Sequence, residues 1–332
     1  MVRLPDGGQR LVDEVPGAPS VLGGADYGAG FWDLTAGGAR RGAVPRGLID
    51  RTLAPVWEAN HVWLIFCLVV LWTAFSSAFA AIMTTLFIPL GLAALGIVVR
   101  GSGFAFRKQL VHTEQQRAAG AAFATSSILT PFFLGTVAGG IASGRVPGTA
   151  VSSWVNPTSL LGGVLAVLVT AFVAAVFLTA EARRLGEAQA QRWFTRRARI
   201  SALVTGAVSL AGIAILHSDA PRLFSGLTGR GLPLIILSGL AGLACVLFLH
   251  RLPPRTLQLL AVTAAATVVA GWGVAQYPFL LGTHTSIAEA AAPDATLLAL
   301  VVIAAGALVL VVPSVALLFT LQQRGSLEPP AH

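Results

Sequence analysis

The sequence predicts an all-α polytopic membrane protein with eight full transmembrane helices plus a partial first helix. Three observations carry that reading. Of 332 residues, 55% are hydrophobic and only 11% are charged, whereas a soluble domain carries about a quarter charged residues. The apolar residues come in runs near the roughly 20 residues a helix needs to cross a ~30 Å hydrocarbon core. Basic residues, finally, alternate between successive loops.

The expected spans are 58–75, 77–99, 119–143, 157–180, 199–217, 231–250, 256–277 and 295–321. The stretch 58–99 is too long for one crossing, and Ser76 and Ser77 near its middle mark a hairpin. The last run is the most uniformly apolar and contains Pro313, a residue that kinks membrane helices. The longest polar connection, 181–198, is too short to fold alone.

Ahead of the spans, residues 1–22 form a non-spanning segment. Its first twenty residues carry Arg3, Asp6, Arg10, Asp13 and Glu14 among Gly and Pro, with no apolar core of a signal peptide. Residues 21–39 are Gly-rich and mildly apolar, and read as half of a membrane helix without its other half. The transmembrane region is expected over 23–322, with 323–332 as a tail.

Arg40, Arg41, Arg46 and Arg51 precede the first strong span. Arg100, Arg107, Lys108 and Arg117 lie two loops on; Arg183, Arg184, Arg192, Arg196, Arg197 and Arg199 two further; then come Arg251 and Arg255, and Arg324. The alternate loops hold only Arg145, Arg222 and Arg230, so the split is 17 against 3 with Arg3 and Arg10 set aside. The positive-inside rule places segment 40–51 and the C-terminus in the cytoplasm. The net charge of +8 is therefore a topology signal, and no nucleic-acid partner is expected; the lipid bilayer is. Cys67 and Cys245 both lie in apolar runs without ligand spacing and read as small packing residues.

Ionisable groups near the membrane are the functional candidates. Trp57-Glu58-Ala59-Asn60-His61-Val62-Trp63 opens the first strong span. Glu58 and His61, three apart, share a helical face and could pass a proton, since a partly buried carboxylate can hold its proton near neutral pH and His titrates there unaided. The structural alternative makes Glu58 a helix N-terminal charge, with Trp57 and Trp63 as interfacial anchors. Arg100-Gly101-Ser102-Gly103-Phe104-Ala105-Phe106-Arg107-Lys108 is either a basic collar or a specific backbone path. Asp26 and Asp33 sit in the Gly-rich half helix, where Gly24, Gly28 and Gly30 permit close packing. A membrane-embedded Asp26 needs a partner, and Arg100 is a candidate. No pair of histidines has haem- or metal-ligand spacing, and Met1 and Met83 are the sole methionines; no metal site is expected.

The residues 54–65, Ala-Pro-Val-Trp-Glu-Ala-Asn-His-Val-Trp-Leu-Ile, resemble the second-helix signature of subunit II of bd-type quinol oxidases, Pro-x-Trp-acid-x-Asn-x-Val-Trp-Leu. Arg100 to Arg107 resembles the Arg-x-x-Gly-Phe-x-x-Arg block of that family. Asn156-Pro157 with Leu160-Leu161-Gly162, Tyr277-Pro278-Phe279, Asp294-Ala295-Thr296, Val312-Pro313 and Asp26-x-Gly28-x-Gly30 are similar to further landmarks in the same order. The resemblance covers roughly residues 23–322.

It implies two four-helix bundles with one peripheral helix, in a multi-pass protein of the bacterial inner (plasma) membrane. It implies a heterodimer with a haem-bearing subunit I that carries haem b, haem d and the quinol site, so that no cofactor is bound by this chain directly; a small accessory subunit is a further possible partner. The complex would oxidise quinol, reduce dioxygen to water and build a proton gradient. Trp57, Glu58, His61 and Asp26 become proton-path candidates; Asn60, Trp63, Arg100 and Arg107 become structural or interface candidates. Glu58 stands where Asp is common, and Ala105 where the block is often acidic. The absent half of the first helix reads as a misplaced start or frame error, or else as a truncation that moves Asp26 from the family's depth. The rival readings are a proton-coupled secondary transporter with Glu58 and His61 as coupling site, which expects ionisable groups near mid-membrane, and an assembly protein without turnover.

Overall fold

The apolar runs become helices in the computed structural model, which describes residues 23–38, 42–53, 57–109, 113–282 and 285–323. The N-terminal segment 1–22 and the tail from 324 lie outside the described residues. The helices are α1 (Gly23–Thr35), α2 (Ala43–Leu53), α3 (Trp57–Ala74), α4 (Ser76–Thr85), α5 (Phe87–Gln109), α6 (Thr113–Ala142), α7 (Pro157–Arg184), α8 (Ala188–Asp219), α9 (Pro221–Thr228), α10 (Leu232–Leu247), α11 (Pro254–Gln276), α12 (Ile287–Ala290) and α13 (Asp294–Gln323). A short antiparallel hairpin, β1 (Phe279–Leu281) and β2 (Thr285–Ser286), precedes α12. The described residues up to Ala291 form one unit. Helix α13 belongs to a second, and Pro313 lies inside its continuous length.

Four helical segments are long and apolar enough to cross a membrane: Ala118–Ala142, Pro157–Arg184, Ala188–Asp219 and Pro254–Gln276. The count reaches six among the described residues if the bent pairs Leu64–Ala74 with Ser76–Thr85 and Pro221–Thr228 with Leu232–Leu247 are each one crossing. The chain is thus an all-α multi-pass membrane protein.

Three local features depart from the hydropathy reading. The hairpin expected at Ser76 and Ser77 turns at Phe75, where α3 and α4 meet at 117°. The expected span 77–99 is broken at Leu86. Pro89 explains the break, because its ring clashes with the carbonyl four residues earlier and it has no N–H to donate there. Pro233 acts likewise on the carbonyl of Gly229, separating α9 from α10 at 74°.

The expected polar connection 181–198 is almost entirely helical, and the true link is residues 185–187. Gly186, at φ +70°, takes the left-handed position that glycine occupies without steric penalty. Around it the Glu187 N–H donates to the Ala182 carbonyl and the Gly186 N–H to Arg183, a Schellman closure. The start of α8 then buries Ala190, Phe194 and Ala198 on one side. The charges suggested a loop, whereas the period of nearly four makes an amphipathic helix.

Helix α7 is the centre of the packing, touching α1, α6, α8 and α11. Its run from Ala171 to Leu178 is fully buried together with Ala29, Trp32, Leu48, Phe194, Cys245 and Leu257. Small residues make this possible. A Cβ on Gly135 of α6 would lie 2.4 Å from the Gly162 carbonyl oxygen of α7, so the helices cross with their backbones nearly touching. Cys245 is buried and serves as packing, as expected. Residues 43–53, overlapping the segment 40–51 expected only as a basic stretch, form the amphipathic helix α2, with Leu48 and Ile49 buried.

Candidate functional site

The site grows from the glycine-rich helix α1. Gly28 brings the α1 backbone against α7, where a Cβ would stand 1.9 Å from the Thr170 carbonyl oxygen. Gly30 does the same beside Ser127 of α6. One turn further, the Trp32 indole N–H donates to the Ala171 carbonyl at 2.8 Å. These approaches sink Asp26, 2% exposed, into the seam between helices.

There it meets Arg100 of α5, which is 1% exposed. The Arg100 Nη2 donates to Asp26 Oδ1 at 2.5 Å and to the Asp26 carbonyl at 3.3 Å, and Nε donates to Ser127 Oγ at 2.9 Å. The guanidinium also faces the rings of Tyr27 and Phe123, 4.6 and 4.9 Å from their centroids. A buried ion pair is tolerated only with such additional partners, because removing both charges from water costs several kcal/mol per ion. The Nη1 group has no hydrogen-bond partner among the described residues. Chemically, the seam holds a carboxylate and a guanidinium that compensate each other inside an apolar surround.

Two more charged clusters tie helix ends. Arg46 of α2 donates from Nε to Asp33 Oδ1 at 2.8 Å and from Nη2 to the Gly37 carbonyl at 2.7 Å. At the opposite end, Arg145 grips Asp219 through Nη2–Oδ1 at 2.7 Å and Nη1–Oδ2 at 3.1 Å. Asp219 Oδ2 accepts as well from the Thr158 N–H and hydroxyl at the start of α7. Asn156 caps α7 by accepting from the Ser159 N–H at 2.9 Å.

Of the residues singled out in the sequence, Asp26 and Arg100 are brought together. Trp57, Glu58, Asn60, His61 and Trp63 lie in the first two turns of α3, and Arg107 near the end of α5. Their side chains fall outside what is described. Sequence reasoning missed Ser127, Tyr27 and Phe123 as partners of Arg100, since hydroxyl and aromatic groups in apolar helices carry no distinguishing signal. The Arg145–Asp219–Thr158 cluster did leave one, an arginine and an aspartate among the few charges on the sparsely charged side. Among the described residues no three His, Cys, Asp or Glu side chains converge as metal ligands.

The model of the family described as cytochrome bd terminal oxidase subunit II matches residues 20–322. The chain belongs to that family. It is 26% identical to cytochrome bd ubiquinol oxidase subunit 2 of Bacillus subtilis over 240 residues, covering 69% of this chain and 68% of that one. It is also 26% identical to cytochrome bd-I ubiquinol oxidase subunit 2 of Escherichia coli K12 over 210 residues, 60% of this chain. The match spans about half the length of that relative, 53%. A chain in the structure of bd oxidase from Geobacillus thermodenitrificans superposes with a TM-score of 0.71 at 25% identity, covering 91% of this chain and 93% of that one.

Membership of the bd oxidase subunit II family raises the question of haem. Haem iron takes an axial side-chain ligand, most often His and, in cytochromes, also Met. The described candidates His217, His250 and Met83 are all exposed, and the His217 ring lies edge-on to Phe224 at 5.0 Å. Among the described residues, these three side chains form no enclosed haem slot.

Proposed function

We propose that this chain is the haem-free partner subunit of a bd-type quinol:oxygen oxidoreductase in a bacterial plasma membrane. The observation that carries the reading is the family match over residues 20–322. In this reading haem b and haem d on a homologous subunit I move electrons from quinol to dioxygen. This chain supports that subunit and lines part of a proton-uptake path from the cytoplasm; a small accessory subunit can complete the complex.

Eight crossings follow if α3, α4 with α5, α6, α7, α8, α10, α11 and α13 each traverse the bilayer, with α1 as a partial ninth. The arginine-rich ends then face the cytoplasm with the C-terminus. Glu58 lies in the first turn of α3, close in sequence to the basic segment 40–51. That is the side from which protons are taken up. Trp57 and His61 flank it, and Asp26 stands at the α1 seam as a deeper carboxylate; a carboxylate and an imidazole within one turn can relay a proton. Asn60, Trp63 and Arg107 have structural or interface roles, while Arg100 holds α1 in place.

The test is quinol oxidase turnover of the purified wild-type complex beside Glu58→Gln. The amide keeps the shape and removes the exchangeable proton. Turnover should fall by about a hundredfold or more with haem content unchanged, within the range of a lost proton-transfer group. Full turnover and proton uptake in Glu58→Gln would remove Glu58 from the path.

A further inference from the structure

Helix α8 carries an unpaired row of arginines on its outer face. Between residues 181 and 199 six arginines accompany two glutamates. Both glutamates are taken, Glu181 by Arg184 and Glu187 by Arg51. Arg183 donates to the Leu252 carbonyl at 2.7 Å, and the Arg197 guanidinium lies over the Trp193 ring. Arg192, Arg196 and Arg199 remain, all exposed, and among the described residues none of them pairs with a carboxylate.

Their spacing of four and three residues aligns them along one side of the helix. Seven residues at 1.5 Å rise put three positive charges within about 10 Å along the axis. The same side continues into Leu203 and Leu210, 68% and 70% exposed, with Ile200 beside them. Charge therefore gives way to bare aliphatic surface between Arg199 and Ile200. That boundary is where a bilayer passes from headgroups to acyl chains.

We propose that Arg192, Arg196 and Arg199 of α8 form a binding site for the phosphate headgroup of an anionic phospholipid, whose acyl chains lie along Ile200, Leu203 and Leu210. Charge complementarity selects the occupant. A guanidinium offers a planar fork of donors that matches phosphate oxygens, and basic clusters at helix ends on the cytoplasmic side draw anionic headgroups. A zwitterionic lipid would add its own cation to an already uncompensated row.

The full-length chain, purified with its bound partners in mild detergent, is titrated with dioleoylphosphatidylglycerol and dioleoylphosphatidylcholine, and bound lipid is counted by native mass spectrometry. The wild type should retain phosphatidylglycerol preferentially. R192Q/R196Q/R199Q should lose that preference by on the order of fivefold per arginine, and R192K/R196K/R199K should keep most of it. If the triple glutamine variant does not fold, Arg196→Gln alone gives the reading at about fivefold. Equal retention of the two lipids by the wild type overturns the proposal, as does an unchanged preference in the glutamine variants. Two further results also overturn it: displacement of the lipid by inorganic phosphate, which marks a small-anion site, and protection of these arginines by a protein partner.

Discussion

Asp26 and Arg100 are joined across the α1–α5 seam by a 2.5 Å ion pair in which neither residue is more than 2% exposed. The two lie 74 positions apart, and their contact ties α1, described from Gly23 to Thr35, to α5. Breaking a buried pair leaves one charge uncompensated, at a cost of about 3–5 kcal/mol. Arg100→Leu is therefore expected to lower thermal stability in mild detergent by that order. Asp26→Asn, which leaves the buried Arg100 guanidinium without its counter-charge, should lose a comparable amount. Small losses in both variants would show that the pair does not hold α1.

Gly28 sets how closely α1 approaches α7. A Cβ there would meet the Thr170 carbonyl oxygen at 1.9 Å, and backbone cannot yield as a side chain can. Gly28→Val should displace α1, break the Trp32–Ala171 hydrogen bond and cost about 3 kcal/mol or more, beyond ordinary overpacking. Gly38→Ala, with nothing within 4 Å, is the control and should change stability by less than about 0.5 kcal/mol. Thermal melts of the two variants side by side decide the point.

Arg145, Asp219 and Thr158 tie the loop after α6 to the end of α8 and the start of α7. Hydrogen bonds to charged groups contribute about 1.5–3 kcal/mol. With the Arg145 side chain 34% exposed, solvent screening leaves about 1 kcal/mol for the pair. Asp219→Asn should cost about that much and speed amide exchange at Thr158, with exchange near Trp32 unaffected. Unchanged exchange at Thr158 would remove Asp219 from that end of α7.

Glu289 gives a pH-dependent local event. The Ser286 N–H and hydroxyl donate to its carboxylate at 2.9 and 2.8 Å, and these bonds, the backbone one foremost, hold its pKa below the usual carboxylate value. A group with a depressed folded pKa stabilises while ionised, so its contribution is present above the ordinary value of about 4.3 and is lost as pH falls through the lowered one. Amide protection over 285–290, corrected for the intrinsic pH dependence of exchange, should fall in that acidic window and nowhere higher. Glu289→Gln should remove the pH dependence.

Much of this was legible in advance because hydropathy reports where apolar length lies. Expected spans 119–143, 157–180, 199–217 and 256–277 each coincide with a continuous helix. Hydropathy does not report backbone breaks, so Leu86 and the Gly229–Gly231 bend escaped it, although Pro89 and Pro233 carried the information. Charge density made 181–198 look like a loop, when the buried Ala190, Phe194 and Ala198 recur at helical spacing. In the site, Asp26 and Arg100 were legible as groups that need partners in a membrane. Ser127, Tyr27 and Phe123 were not, because their roles depend on which helices meet, a long-range fact that no local pattern encodes.

In the proposed reading this chain functions beside a haem-bearing subunit. The most direct measurement is a mild-detergent pull-down of the C-terminally tagged full-length chain from its native membrane, followed by a reduced-minus-oxidised visible spectrum. A second large membrane subunit and bands of b- and d-type haem should co-purify in stoichiometric yield. A stable, inserted chain that purifies colourless and alone would contradict that reading and bring a proton-coupled transporter forward.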